Sequence, residues 1–201
     1  MDFEKLFADL TGQLDDELDR ESRFHEEDEE RQRQAKLTLI ERIRLVADGT
    51  RRGSQQGELQ AISVRLVDGS QLSLFPQTCG KDWFLAEVLT PTVLEGTALV
   101  SITSVESISL PQGLRDLSVG SQPASSERRE PNQSPNLANQ IGFGFVLRDL
   151  ARRRSRVTVR TRQQEISGLV NRVGRDHLEI SREGDETLLV PLTSVVVVQL
   201  P

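Results

Sequence analysis

The sequence predicts a mainly β protein with helices: two five-stranded barrels, each led by a helix, behind a long acidic N-terminal helix. Three observations carry this expectation. The last dozen residues, VPLTSVVVVQLP (Val190–Pro201), echo VSITSVESISLP (Val100–Pro111) 90 residues earlier, and a fixed-period echo sets architecture before local propensity does. The echo extends backwards: Gly80-Lys81-Asp82-Trp83-Phe84-Leu85 answers to Gly174-Arg175-Asp176-His177-Leu178-Glu179, and Ile62-Ser63-Val64-Arg65 to Val157-Thr158-Val159-Arg160. Both copies also carry short runs in which apolar residues recur with period two, the pattern of half-buried strands. Strands this short stabilise one another by curling into a small closed or nearly closed barrel.

At the N-terminus, Phe3, Leu6, Phe7, Leu10, Leu14 and Leu18 follow steps of three and four, one face of an amphipathic helix. Such a stripe packs on its own protein, dimerises, or docks in a partner's groove. The stretch DRESRFHEEDEERQRQAK that follows has only Phe24 and Ala35 to bury, so it reads as a solvated helix with pairs such as Glu27–Arg31 and Glu29–Arg33. Leu37, Leu39, Ile40, Ile43 and Val46 restore an apolar face, and Asp48-Gly49 is read as the stop. The first segment is therefore 1–48, and the first barrel 49–111.

From Glu58 the period changes to two. The first strand runs from there to the Asp68-Gly69 hairpin signal. Leu72, Leu74 and Cys79 mark a second strand, with Pro76 at an edge or bulge. Trp83–Val88, Ala98–Ile102 and Val105–Leu110 complete the set. Residues 112–140, with Pro123, Pro131 and Pro135 among Ser, Asn and Gln, read as a flexible linker with too little apolar surface to offset ordering entropy. In 141–201, Phe143, Val146, Leu147 and Leu150 outline a helix. Strands at 156–161, 165–172, 177–181, 187–190 and 195–200 follow.

The strand plan resembles the Sm-like, SH3-like barrel fold, including Hfq-type RNA chaperones. The residues that carry the resemblance are Val157-Thr158-Val159-Arg160, Glu165-Ile166-Ser167-Gly168-Leu169-Val170 and Val173-Gly174-Arg175-Asp176-His177-Leu178. Gly168 stands where that family bends strand two, and Asp82 and Asp176 match its loop aspartate. The copies split the signature: the first keeps Asp68-Gly69 with Leu74 in place of the glycine, and the second keeps Gly168 with Arg162-Gln163-Gln164 at the turn. The family's asparagine after the loop aspartate and its Arg-Gly dipeptide before strand five are missing. The resemblance implies the fold, an RNA-binding alternative, and pairing of strand four with strand five of a neighbour. The whole layout also resembles a group of bacterial proteins sometimes labelled Fis-family transcriptional regulators, which implies DNA binding. The C-terminal segment, however, has the period of a strand and not of a helix-turn-helix.

Composition narrows the function classes. Net charge is −6, but residues 1–50 hold 15 acidic and 8 basic side chains, whereas 141–201 hold 10 Arg and 7 acids. The basic cluster Arg148, Arg152, Arg153, Arg154, Arg156, Arg160 and Arg162 is a candidate phosphate track. Trp83 and His177, equivalent planar side chains, are candidates for stacking on a base. Glu26-Glu27-Asp28-Glu29-Glu30 is a candidate intramolecular screen for the arginines. A lone Cys79 fits a buried small hydrophobe in a reducing cytoplasm. No apolar run reaches the roughly 18 residues of a membrane span, and the acidic start lacks a signal-peptide layout. With His25 and His177 far from other ligands, no metal, cofactor or small-molecule substrate is expected. No nucleophile, base and oxyanion donor come together, so an enzyme is not expected. The favoured reading is a cytoplasmic adaptor or regulator that binds a protein partner or itself. RNA binding is the alternative.

Overall fold

The computed structural model describes residues 35–54, 61–89, 96–112, 114, 137–182 and 186–200. The chain divides into two compact units, Met1–Thr38 and Leu39–Pro201, and the elements below belong to the second. The Phe3–Leu18 stripe and the Glu26–Glu30 run lie outside the described residues.

Helix α1 spans Leu39–Ser54, with Ile43, Val46 and Ala47 buried on one face. It does not stop at Asp48-Gly49 as the sequence suggests. The buried Thr50 donates its hydroxyl to the Val46 carbonyl at 2.9 Å, and packing of this turn outweighs the roughly 1 kcal/mol cost of a helical glycine. Five strands follow: β1 Ile62–Leu66, β2 Gln71–Cys79, β3 Trp83–Val88, β4 Thr97–Ser101 and β5 Val105–Ser109. The core continues past Pro111, because Leu114 is buried in it, so the expected linker begins later than residue 112. The second half repeats the order with α2 Phe143–Arg152, β6 Arg156–Thr161, β7 Glu165–Val173, β8 His177–Ser181, β9 Thr187–Pro191 and β10 Val195–Leu200.

The repetition extends to individual hydrogen bonds. Gly80 N–H reaches the Trp83 carbonyl and Gly174 N–H the His177 carbonyl, both at 2.8 Å. Ile102 N–H bonds the Asp82 carbonyl as Leu192 N–H bonds that of Asp176. Arg44 of α1 donates to the Gly80 carbonyl (3.2 Å), and Arg148 of α2 to the Gly174 carbonyl (3.3 Å). Strand two bulges in each copy, between Pro76 and Thr78 and between Val170 and Arg172, which sharpens its bend. Strand five skips one residue in each, Glu106 and Val196. A 3-10 turn joins strands four and five in both (Ile102–Ser104, Leu192–Ser194).

The sheet does not close into two barrels. Its order is β5-β1-β2-β3-β4-β10-β6-β7-β8-β9, one antiparallel sheet of ten strands. Within neither half are strands four and five paired with each other. Instead β4 pairs with β10, Val100 opposite Val197 and Leu99 opposite Val198. A tandem chain thus covers one edge of each half with the other half, which removes two of four exposed edges. The cores interlock across this seam. Val196 and Val197 pack into the first core, and Trp83 and Leu99 into the second.

Candidate interaction surfaces

The seam shows what this fold does with a strand-four edge. Odd-numbered residues of β3 and β4 face the second copy: Leu99 is fully buried and Trp83 is 6% exposed. The indole N–H of Trp83 donates to the Ile141 carbonyl at 2.9 Å, and Lys81 N–H donates to the same oxygen. Phe143 N–H donates to Asp82 Oδ1 at 2.7 Å. Asp82 therefore caps α2, whose own N-cap residue Gly142 has no side chain to do so. Gly80 is required here: a Cβ would run into the Trp83 ring and lie 2.7 Å from the Ile141 carbonyl oxygen. Farther along the seam, Ser104 Oγ donates to the Val195 carbonyl at 3.0 Å. Arg160 meets Asp68 at 3.6 Å, both side chains largely buried.

The free ends carry the same backbone with different side chains. On β8–β9, His177, Glu179 and Leu189 stand where the seam has Trp83, Leu85 and Leu99. Leu189 is 65% exposed. His177 Nδ1 lies 2.8 Å from the exposed Asp176 carboxylate, and this hydrogen bond holds the Asp176 carboxyl below the usual aspartate range. On β5, Glu106 and Ser107 stand where β10 has Val196 and Val197.

The seven arginines expected to form one cluster do not all converge. Arg160 is withdrawn into the seam by Asp68, so it offers nothing to a phosphate track. Arg152 and Arg153 both hold Asp149. Arg148 lies against the Gly174 turn. Arg162 sits apart at the β6–β7 turn, lining an open cavity of about 710 Å³ with Gln163, Leu189, Pro191 and Ser194. Arg154 and Arg156 flank Ser155, whose carbonyl accepts from Val170 N–H at 3.2 Å, close in sequence to the exposed Arg172. Trp83, buried and hydrogen-bonded, offers no ring face to a base, whereas His177 is partly exposed. Cys79 is buried and forms no disulfide. Among the described residues no three His, Cys, Asp or Glu side chains are grouped to hold a metal, and no described helix is long and apolar enough to cross a membrane.

Two exposed apolar residues, Leu189 and Phe145 (59% exposed), were not singled out by the sequence pattern. Leu189 was legible only through its 90-residue offset from Leu99. Phe145 falls off the apolar stripe of α2. No family model matches the chain, and comparison with curated proteins and with solved structures likewise gives no match.

Proposed function

We infer that the chain is a non-enzymatic cytoplasmic adaptor or regulatory protein, its two Sm-like halves fused into one rigid body that presents binding edges. The observation that supports this reading most directly is the exposed Leu189 on β9, at a position whose counterpart in the seam is fully buried. A large aliphatic side chain on an open strand edge marks a surface for another chain. The apolar stripe Phe3–Leu18 in the sequence supplies a second handle, and the reduced, buried Cys79 suits a cytoplasmic setting. The test is affinity capture with the full-length chain after nuclease treatment. A retained protein partner is the expected result; loss of everything bound, with salt-sensitive RNA binding instead, overturns the reading.

RNA binding is a second reading with one specific observation in its favour. Arg154 has φ 51°, the one non-glycine residue at positive φ among those described. Its N–H bonds the Ala151 carbonyl and Ser155 N–H bonds that of Leu150, the helix ending in which glycine is the usual residue. An arginine kept in a conformation costing about 1–2 kcal/mol points to a use for its charge, beside Arg152, Arg153 and Arg156. On this reading Arg154→Gly raises the melting temperature while lowering affinity for single-stranded RNA at low salt. A variant that is stabilised with unchanged affinity removes the reading.

A further inference from the structure

The seam is a worked example of how a strand-four edge of this protein accepts a strand. There β10 sets Val198 opposite Leu99 and its Val195 carbonyl on Ser104 Oγ, and Arg160 of the adjoining β6 brings a charge opposite to that of Asp68 in the β1–β2 turn. The free β9 edge carries the same parts. Leu189 replaces Leu99, Ser194 replaces Ser104, and both line the open cavity with Arg162, which stands in the turn equivalent to that of Asp68. Leu192 N–H bonds the Asp176 carbonyl and Arg182 N–H that of Glu186. By antiparallel alternation, Leu188 and Val190 then bond β8, and the N–H and C=O of Thr187 and Leu189 face outwards.

A second copy of this chain is the wrong occupant. Its open β5 edge brings Glu106 to the place where Val196, 1% exposed, packs into a core, and burying an unpaired carboxylate there is strongly unfavourable. Ser107 replaces Val197, and Arg65, the counterpart of Arg160, meets Arg162 as a like charge. The sign of the turn has been reversed, from Asp68 to Arg162, so the occupant must reverse too.

We propose that the β9 edge takes an extended, acidic-apolar segment of a partner protein as an eleventh strand. The segment lies antiparallel to β9, with an apolar side chain over Leu189 and a carboxylate on Arg162. This rests on the adaptor reading and names the chemistry of its partner.

The probe is a fluorescein-labelled peptide, Asp-Glu-Val-Thr-Val-Val-Gln-Leu, patterned on Val195–Leu200, compared with a version beginning Lys-Lys, in anisotropy titrations against the full chain. The acidic peptide is expected to bind at least tenfold tighter than the Lys-Lys peptide. Leu189→Asp should weaken it at least tenfold, and Arg162→Glu should invert the preference. Both residues are exposed, so the melting temperature of each variant should match the wild type. Equal binding of the two peptides, or no effect of either variant, overturns the proposal. So does concentration-dependent self-assembly in sedimentation that Leu189→Asp abolishes, because a second copy is then the occupant. If nuclease-treated wild type and Leu189→Asp retain the same protein partner equally, the β9 assignment fails while the adaptor reading stands.

Discussion

Strands β4 and β9 occupy equivalent places in their halves, yet one is the interior of a seam and the other an edge of the sheet. Their backbones make corresponding hydrogen bonds to β3 and β8. The outward side chains of the β3–β4 and β8–β9 pairs differ: Trp83, Leu85 and Leu99 on one, His177, Glu179 and Leu189 on the other. The difference separates what a duplicated fold must keep from what it is free to change. Positions that face a half's own core, such as Phe84 and Leu178 or Val100 and Val190, stay apolar and buried. Positions that face a neighbour follow the neighbour. Where the neighbour is water, two of three have become polar, as in the terminal units of repeat proteins. Leu189 is the exception, and that makes it informative.

The contrast is broken most easily by matched truncations. Leu99→Ala should destabilise the fold by about 2–5 kcal/mol in urea unfolding, through lost burial and a cavity in the second core. Leu189→Ala should fall within about 0.5 kcal/mol of wild type. Equal losses would mean that the two edges are not in different environments. A smaller effect sharpens the picture at the loop aspartates. Asp82→Ala removes the α2 cap and should cost about 0.5–2 kcal/mol, with faster amide exchange at Phe143. Asp176→Ala, whose carboxylate is exposed and meets only His177, should lower melting far less than Asp82→Ala. The smallest effect is in pH dependence. The Asp176 carboxyl is held low by His177, so its contribution is present above the ordinary aspartate value of about 3.9 and is lost as pH falls through the lowered one. Carboxyl NMR titration should show Asp176 titrating below the ordinary value, and His177→Ala should return it.

Much of this arrangement was legible in the sequence. All ten strands overlap the period-two runs and turn signals, although β1 starts at Ile62, because each half buries one face and a one-residue slip would turn that face to water. Pro76 marks a bulge because it has no N–H to give the ladder. Gly168 is needed because β8 approaches too closely for a Cβ, which would lie 2.6 Å from the Ile180 side chain. The closed barrels did not follow, since closure is decided by which edge finds a partner and not by any local pattern. The end of α1 was misread at Gly49 because propensity is overridden by packing. Arg160 looked like its neighbours along the strand; only the seam, formed with a residue 92 positions away, takes it out of the surface. The two most exposed apolar side chains, Leu189 and Phe145, were hidden for the opposite reason, since an apolar residue in a strand or helix gives no sign of which neighbour is missing.

Strand β10 is the last in sequence of the ten described strands and lies in the middle of the sheet, between β4 and β6. During synthesis the earlier strands must wait for Val195–Leu200 before either core can be sealed. The seam joins residues nearly a hundred positions apart, and contacts of such long range form slowly. A nascent chain halted before Val195 therefore displays two unfinished hydrophobic faces at once, which makes incomplete copies conspicuous to chaperones and proteases.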